Sequence, residues 1–465
     1  MALGFKISSC SRLFLVFSLA LLLPGCGLAS ERPASGGALG AGSGAGGAPA
    51  GPSPAAEKLK PREASASSAS DGALAGGAID GDRFSSEPGK LWKGGRGAGE
   101  WWWQATFDEP CAVGAILQIG GDHPSGLQNA ALRYVWQASL DGEAWQDIEG
   151  TEVRGERRLF RVHRLARPLQ AKHLRLKIRE CVGEAPSLRE VEFYLHPSAA
   201  IPFPDWVVSV GTTVENKTLP GEAEAFVKLA RSCRGREDLL AQWLWLGDFD
   251  EAFCVAEPRP LCAFLTGNFL EWCQQEREPW RGVGEVLANR NLPIWAACGG
   301  AQGLAILQET GVDSPWDCPR CRDPERPKSP VYSHIGHTGE ARCGDYSKCV
   351  AERGKFKVRL AARDPAFEGL PDVFEVMESH IGQIAYVPRG WVRVATRGPG
   401  ALTENQCLRV ADRYIYAAQF HMEMAGTPET SRKIMSNFLS LAKEWGGYSP
   451  GGKPVPAPEP LPEPR

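Results

Sequence analysis

The sequence has almost no excess charge of either sign and no apolar run long enough to span a membrane. Lys and Arg number 52 against 55 Asp and Glu, which gives a net charge of −3. No basic stripe alternates with aromatic residues, so nothing favours a nucleic-acid partner. The apolar stretch from Leu13 to Leu23 is shorter than the ~20 residues that a membrane-spanning helix needs. The chemistry therefore has to be inferred from local motifs.

The first residues are typical of an export signal. Lys6 and Arg12 precede the short apolar stretch, and a small residue, Gly25, precedes Cys26. This order predicts a secretory signal over residues 1–25. It also resembles a bacterial lipobox, which implies that Cys26 is lipidated and becomes the mature N-terminus. An ordinary cleaved signal with an incidental Cys26 is the alternative. The expected location is the bacterial cell envelope, lipid-anchored outside the cytoplasm, with inner or outer membrane left open.

Composition divides the rest of the chain. Residues 26–66 are rich in Gly, Ala, Ser and Pro, which predicts a flexible linker, because so few apolar residues cannot offset the entropy of ordering. Residues 449–465 form a Pro-rich tail that we expect to be extended and disordered. The chain between these segments is too long for one core, so we expect two domains, over residues 67–197 and 202–448.

The first domain is predicted to be an all-β sandwich. Short β-rich runs are separated by Gly, Asp and Pro turns. The runs are Val113 to Ile119, Leu132 to Ser139, Leu159 to Val162, His173 to Ile178 and Glu190 to Leu195. Cys111 and Cys181 border two of them and could pair, since an exported compartment permits disulfides.

Three segments of this domain resemble the coagulation-factor type C (discoidin) domain. They are Ile79-Asp80-Gly81-Asp82 with the Trp residues that follow it, Ser139-Leu140-Asp141-Gly142-Glu143-Ala144-Trp145, and Ala171-Lys172-His173-Leu174-Arg175-Leu176 leading to Leu188-Arg189-Glu190-Val191-Glu192-Phe193. The resemblance implies a galactose-binding-like jelly roll whose loops at one end bind sugars, lipid headgroups or proteins.

The ligand of this domain is less defined by the sequence. Trp92 and Trp101 lie near the first binding region that the resemblance implies, and either indole could stack on a sugar ring. Packing in the core is the alternative for both. Asp80 and Asp82 could ligate a structural calcium through oxygen atoms, or form an Asp-Gly turn without any metal. The expected partner is a glycan or an envelope surface.

In the second domain, predicted strands and helices alternate. This pattern implies a three-layer α/β fold with a mostly parallel sheet, in which active sites lie at the carboxyl ends of strands. Two segments carry nucleophile chemistry. Cys298-Gly299-Gly300 follows the apolar run Leu292 to Ala297, and His421 is followed by Glu423. A turn after a buried strand can present a thiol to a cleft, and a distant His backed by an acid can deprotonate it.

Four segments, in chain order, resemble the class I (triad) glutamine amidotransferase family, whose sheet is flavodoxin-like. They are Leu265-Thr266-Gly267-Asn268, the Cys298 elbow with Gln302, Val376-Met377-Glu378-Ser379-His380, and Gln419-Phe420-His421-Met422-Glu423. The chain departs from the family in Ala296, where Gly is usual, and in Met422, where Pro is common. Neither change removes a catalytic atom.

The resemblance implies a role for each of these residues. Cys298 would attack a γ-glutamyl amide, His421 would move its proton, and Glu423 would orient the imidazole. Backbone N–H groups of Gly267 or Asn268 and of Gly299 would hold the oxyanion. The glutamine pocket would be lined by Gln302, Ser379 and His380, although a hydrogen-bonded structural role for His380 is an equal alternative.

A cysteine-rich insert has no counterpart in a minimal member of that family. It contains Cys318, Cys321, Cys343 and Cys349. Structural disulfides are the preferred interpretation because of the exported compartment, and a small zinc site at these four residues is the alternative. No other cofactor is expected.

Taken together, these patterns predict an envelope-anchored cysteine hydrolase. Its partner would be a small amide or γ-glutamyl substrate, and the discoidin-like domain would dock it on a surface. A true amidotransferase that passes ammonia to a synthase is less compatible with export, since ATP is absent outside the cytoplasm. A non-catalytic surface-binding lipoprotein with a degenerate amidotransferase-like domain is the other alternative.

Overall fold

The computed structural model describes residues 56–462, except 71, 98, 214–220, 234, 269, 271, 273–274, 314–330, 336–348 and 453. The predicted signal, Cys26, most of the predicted linker and three insert cysteines, Cys318, Cys321 and Cys343, lie outside these residues. Within them, no helix is both long and apolar enough to cross a lipid bilayer.

The first part of the chain forms one antiparallel network of nine strands, which folds into a β-sandwich. The strands are β1 (Lys58–Leu59), β2 (Glu63–Ala66), β3 (Trp92–Lys93), β4 (Trp101–Gly120), β5 (Ala131–Ser139), β6 (Gln146–Asp147), β7 (Val153–Arg154), β8 (Phe160–Cys181) and β9 (Ser187–Tyr194). The long strands β4 and β8 pair along most of their length, with irregularities between Thr106 and Cys111 and between Val113 and Ala115.

The predicted boundary of the linker at residue 66 is wrong. Strand β1 pairs with β9, and β2 pairs with β4, so residues from Lys58 onward belong to the sandwich. The sequence of β2, Glu-Ala-Ser-Ala, has no strong β-propensity. Its strand conformation comes from the backbone of β4, a partner that is distant in sequence.

The second part of the chain has a nine-stranded mixed sheet in the order β11-β10-β12-β13-β21-β20-β19-β15-β17. Its elements, with two small additional sheets, are β10 (Trp206–Gly211), α1 (Gly221–Arg231), β11 (Leu240–Trp245), α2 (Glu251–Val255), β12 (Cys262–Leu265), α3 (Arg281–Asn289), β13 (Ile294–Ala297), α4 (Gly299–Thr310), β14 (Tyr332–His334), β15 (Glu352–Leu360), β16 (Ala362–Arg363), β17 (Val373–His380), β18 (Gly382–Ile384), β19 (Trp391–Arg397), β20 (Asn405–Val410), β21 (Ile415–Ala418), α5 (Pro428–Trp445) and β22 (Glu459–Pro460).

The centre of this sheet is parallel and fully buried. Every residue of β10, β12, β13 and β21 is buried, as expected for strands that are covered on both faces. Two large apolar clusters lie on opposite sides of these strands. From β21 to β17 each neighbouring pair is antiparallel. The predicted fold class, a β-sandwich followed by a three-layer α/β domain, is confirmed.

The Pro-rich tail is ordered against the second domain, contrary to the prediction. Strand β22 pairs with β16. The carbonyl oxygen of Pro456 accepts a hydrogen bond from the buried guanidinium of Arg409, which also donates to Asp364 Oδ2 at 2.7 Å. Proline lacks only the backbone donor, so its carbonyl can still satisfy a buried cation.

The two sheets share a core within one compact unit, residues 52–465. Leu159 and Phe160 of the sandwich belong to the same apolar cluster as Trp206 and Leu240 of the α/β part. Hydrogen bonds cross the boundary between the sandwich and the α/β part. For example, Trp243 N–H donates to Ser125 O at 2.8 Å. The sandwich is therefore fused to the edge of the α/β sheet rather than tethered to it.

Glu190 gives the sandwich a pH-dependent stability that can be measured. Its side chain is 1% exposed and its Oε1 has no hydrogen-bond partner among the described residues. Burial raises the pKa of Glu190 to about 8, with Lys58 opposing and Glu192 adding to the shift. The raised folded-state pKa means that folding takes up a proton, so the free energy of unfolding falls as pH rises from about 4.5 through 8.

We therefore expect the free energy of unfolding of Glu190→Gln to fall less steeply with rising pH than that of wild type. By chemical denaturation, the variant should gain on the order of a few kcal/mol over wild type between pH 5 and 8.5. Glu184→Gln, at a carboxylate that is 70% exposed, is the matched control and should run parallel to wild type. Parallel curves for Glu190→Gln would contradict the expectation.

Candidate active site

Cys298 lies at the turn between β13 and α4. Its φ and ψ are 48° and −111°, a left-handed conformation that a non-glycine residue adopts only at a cost. The backbone N–H of Cys298 donates to Ala418 O at 2.8 Å, which ties the turn to β21. The residue is 6% exposed. This is the geometry of a nucleophile elbow, in which the thiol is presented at the carboxyl end of a strand.

The two glycines after Cys298 are required by close packing. A Cβ on Gly299 would lie 2.6 Å from Asn268 N, and one on Gly300 would lie 2.6 Å from Thr266 O. Gly300 N–H also donates to Thr266 O at 3.0 Å. The elbow and the loop after β12 can therefore touch only through glycine, which brings the backbone at residues 267–268 beside the thiol.

His421 and Glu423 follow β21 and form a tight buried pair. His421 Nδ1 lies 2.6 Å from Glu423 Oε1, with the His side chain 5% exposed and the Glu side chain fully buried. His421 Nε2 has no hydrogen-bond partner of ordinary geometry among the described residues. Burial lowers the pKa of His421, but the charges of Glu423 and Cys298 outweigh it and hold this pKa well above its usual value. The protonated form of His421 is thus favoured.

The third segment, β17, contacts both reacting groups through its backbone. His421 N–H donates to Met377 O at 2.8 Å, and Cys298 Sγ lies 3.8 Å from Ser379 O. A Cβ on Gly267 would lie 3.1 Å from His421 Cε1 and 3.7 Å from Cys298 Cβ. All four segments singled out in the sequence therefore converge at one place.

Thr212 was missed by the sequence analysis. Its hydroxyl donates to Gly267 O at 2.7 Å, and its N–H donates to Thr266 Oγ1 at 3.1 Å. These bonds fix the loop that faces the thiol. The available signal was weak: Thr212 and Thr213 are polar residues directly after the apolar strand β10.

Gln302 is held inside the protein. Trp272 Nε1 donates to its amide oxygen at 3.0 Å, and its amide nitrogen donates to Gln419 Oε1 at 3.2 Å. The residue is 5% exposed. These contacts let Gln302 brace the elbow helix against the strand that delivers His421. Any contact with a substrate would add to them.

His380 has the buried, hydrogen-bonded surroundings that its structural alternative describes. Its Nδ1 lies 2.9 Å from Gly382 O, and its Nε2 lies 2.9 Å from Glu378 Oε2, with both side chains buried. Alternate residues of a strand point to opposite faces. Ser379, which is exposed, therefore points away from His380.

Glu222 is a further, partly buried carboxylate whose pKa responds to the charges of the His421–Glu423 pair. Burial raises the pKa of Glu222 to about 7, with the charge of Glu423 adding to the shift and that of His421 opposing it. Glu222 is the second residue of α1 and was not singled out in the sequence. Near neutral pH it can hold or release a proton beside the pair.

In the sandwich, the predicted ligand platform at Trp92 and Trp101 is wrong. Trp92 is fully buried and Trp101 is 8% exposed. Their indole N–H groups donate to the backbone, to Ser68 O at 2.9 Å and to Gly95 O at 2.8 Å. Both rings belong to the apolar core of the sandwich, so neither can stack on a sugar.

The predicted disulfide between Cys111 and Cys181 is also wrong. Both are free thiols, and burial raises the pKa of each. They are far apart in register, since Cys111 faces Ala171 whereas Cys181 faces Ala131.

Asp80 and Asp82, the candidate calcium ligands, both contact other groups of the protein. Asp80 Oδ2 pairs with Lys90 at 3.2 Å, and Asp82 Oδ1 accepts backbone N–H groups of Phe84 and Ser85, each at 3.0 Å. No group of three or more His, Cys, Asp or Glu side chains in the described part of the chain is placed to hold a metal ion. The zinc alternative at the insert depends on Cys318, Cys321 and Cys343, which lie outside that part.

Comparison with known proteins gives partial matches. No protein-family model matches the chain. The chain is 34% identical over 167 residues to the glutamine-hydrolyzing GMP synthase of Thermosipho melanesiensis, an overlap of 35% of this chain and 25% of that protein. It is 28% identical over 91 residues to a glutamine-hydrolyzing GMP synthase subunit from Methanoculleus marisnigri, an overlap of 20% of this chain and 47% of that protein. This homology supports a glutamine amidotransferase-like domain.

The chain spans only 16% to 54% of the length of the first four such relatives. Among solved structures, it matches a protein from Thermoplasma acidophilum, assigned as a GMP synthase subunit, with 19% identity and a TM-score of 0.38, over 53% of this chain and 98% of that one. It also matches a family 32 CBM from C. perfringens in complex with galactose, with 19% identity and a TM-score of 0.25. This match covers 28% of this chain and 92% of that one.

Proposed function

We propose that this chain is a cysteine hydrolase that cleaves a glutamine or γ-glutamyl amide. The observation that supports this best is the Glu423–His421 pair, 2.6 Å apart, beside a thiol on a strained strand-to-helix turn. The nearness of a thiol, a base and an acid that orients the base is what nucleophilic amide cleavage requires.

The mechanism follows from these positions. Cys298 thiolate attacks the amide carbonyl carbon, and the carbonyl oxygen takes the negative charge beside the backbone at residues 267–268 and 299. The C–N bond then breaks, and His421 Nε2 gives its proton to the departing nitrogen, which leaves a thioester on Cys298. Water, deprotonated by His421, attacks the thioester and releases the acid and the thiol. Glu423 supports the imidazolium throughout.

Release to water is the simplest form of this proposal. Because the chain matches only part of the GMP synthases, their synthase reaction is not assigned to it. Transfer of ammonia to a separate partner is the alternative, and it predicts little ammonia release by the isolated protein. Attachment of the enzyme to a membrane through Cys26, and docking on an envelope surface, complete the proposal and rest on the sequence alone.

Labelling with a chloroketone analogue of glutamine tests the substrate class. We expect one equivalent of label on the Cys298 peptide, slowed by excess glutamine or γ-glutamyl peptide, because the analogue is recognised by its glutamyl part before it alkylates. The half-buried thiols Cys111 and Cys181 provide internal controls in the same digest. Equal labelling of the three peptides, with no protection by glutamine, would favour the non-catalytic surface-binding protein.

A further inference from the structure

A second group of buried ionisable side chains lies on β17 and β15, directly behind the candidate active site. His380 Nε2 lies 2.9 Å from Glu378 Oε2 and 3.4 Å from Glu352 Oε2, and the three side chains are 1% exposed or less. None of them has a role in the mechanism above. Burying two carboxylates is unfavourable unless their charge is compensated, so the cluster needs an explanation.

Glu352 is compensated by the backbone. Its Oε1 accepts the N–H of Leu402 at 2.6 Å, and its Oε2 accepts the N–H of Thr403 at 3.2 Å. Both carboxyl oxygens of Glu352 therefore have a backbone donor. Glu378, by contrast, has no hydrogen bond of ordinary geometry on either carboxyl oxygen among the described residues. Compensation of Glu378 therefore depends on its contact with His380.

The protonation of His380 follows from its two contacts. A carbonyl oxygen can only accept, so the 2.9 Å contact with Gly382 O places a proton on Nδ1. If Nε2 carried a lone pair and Glu378 were ionised, two acceptors would face each other at 2.9 Å. One proton on either His380 Nε2 or the Glu378 carboxyl group removes this conflict and makes the pair electrically neutral. Burial raises the pKa of Glu378, with His380 and His421 opposing and Glu352 adding to the shift.

The position of this pair connects it to the catalytic residues. Residues 378 and 380 alternate along β17 with 377 and 379, whose carbonyl oxygens contact His421 N–H and Cys298 Sγ. Strand β17 is the last in the order of its sheet and pairs only with β15 within the described residues. Side-chain contacts behind it therefore help to set where those two carbonyls lie.

We propose that Glu378 and His380 form a proton-sharing, neutral pair that positions the catalytic Cys298–His421 pair through β17, and that His380 serves to neutralise Glu378 rather than to bind substrate. The proposal rests on the hydrolase function proposed above. Glu378 and His380 are positioning residues, since neither touches the reacting atoms. The groups that face Glu378 are His380 on its own strand, Glu352 on β15 and His421 after β21.

Three variants separate charge compensation from packing. His380→Asn keeps an N–H that can reach Gly382 O but leaves Glu378 without its shared proton. Glu378→Gln keeps the shape of the side chain and removes the carboxylate, so that neutral His380 can accept from the amide. The double variant removes both titratable groups. Glu375→Gln, at an exposed position of the same strand, is the matched control.

The first readout is the rate at which iodoacetamide alkylates Cys298 between pH 5 and 9, followed on the Cys298 peptide. Misplacement of reacting groups by about 1 Å can cost ~100-fold. We expect His380→Asn to lose at least about tenfold in rate. Its rate should lag further as pH rises through the pKa of the unpaired Glu378, because the carboxylate that forms opposes the thiolate. Glu378→Gln should lower the alkylation rate only slightly. The double variant should regain most of the rate that His380→Asn loses, and its rate should lack the extra pH dependence.

The second readout is amide hydrolysis, where we expect kcat to fall with little change in KM. If the wild type hydrolyses no amide, the proposed function fails, and the alkylation rates still decide the present inference. A double variant whose loss is the sum of the single losses, with no change in pH profile, overturns it. If His380→Asn does not fold, folding of the double variant supports the pair. Failure of both overturns it, because His380 is then needed whatever the charge at 378.

Discussion

Cys298→Ala is expected to abolish hydrolysis of glutamine or γ-glutamyl peptides, with a loss of about 10⁴-fold or more in kcat. The variant removes the sulfur that forms the thioester at the turn between β13 and α4. Ammonia release, measured with a coupled assay, checks the loss, and mass spectrometry of the acyl intermediate checks its cause. The fold should be preserved, because Ala differs from Cys by a single sulfur.

The matched control is Cys111→Ala, which removes a free, partly buried thiol from the sandwich. It should retain full activity. The activity of Glu423→Gln should lie between those of Cys298→Ala and Cys111→Ala, because the amide keeps the contact with His421 Nδ1 but cannot support the imidazolium. Hydrolysis that survives Cys298→Ala at the wild-type rate would mean that the activity belongs to another site or to a contaminant.

The parts of the site that the sequence predicted share one physical property: their geometry is local. The elbow needs small residues immediately after Cys298, and the acid must lie two residues after His421 to reach its Nδ1. Such requirements can be recognised as a pattern of neighbouring residues in the sequence. The central strands were predictable for a related reason, since strands covered on both faces need continuous apolar runs such as Ile294–Ala297.

The parts that the sequence did not predict depend on distant partners. The indole N–H of Trp92 is bonded to Ser68 O, a contact with a residue 24 positions away that the sequence around Trp92 does not indicate. The same holds for Thr212 and Gly267, which are distant in sequence yet bonded at 2.7 Å. Strand β2 and the tail owe their order to β4 and β16. Composition alone predicted that both segments would be unstructured.

The predicted division into two independent modules is where these distant contacts matter most, and Arg158 is the residue to test. Arg158 belongs to the sandwich, but its guanidinium donates to the carbonyls of Phe253, Ala256 and Pro258 in the α/β part, besides that of Phe160. It also stacks on the Trp206 ring at 5.3 Å and on the Phe253 ring at 4.8 Å. Burial lowers the pKa of Arg158 to about 9, with the charge of Arg161 adding to the shift.

We expect Arg158→Ala to lower the free energy of unfolding by at least ~3 kcal/mol, because it leaves four carbonyls without a donor and opens a cavity between two aromatic rings. Arg158→Lys should recover only part of this, since an ammonium group cannot reproduce the planar fork of donors. Arg157→Ala is the control, since that side chain is 47% exposed and pairs loosely with Asp248 at 3.7 Å.

Chemical denaturation, followed by tryptophan fluorescence, should give a single transition for the wild type, because Leu159 and Phe160 share a core with Trp206. In Arg158→Ala the transition should shift to lower denaturant or divide into two as the sheets uncouple. A wild type that unfolds in two well-separated steps, with Arg158→Ala unchanged in both, would restore the picture of a sandwich tethered beside an independent hydrolase. With the coupling intact, the sandwich supports the α/β part: its loop at Ser125 caps the edge strand β11, and its Arg158 stacks on Trp206, the first residue of β10.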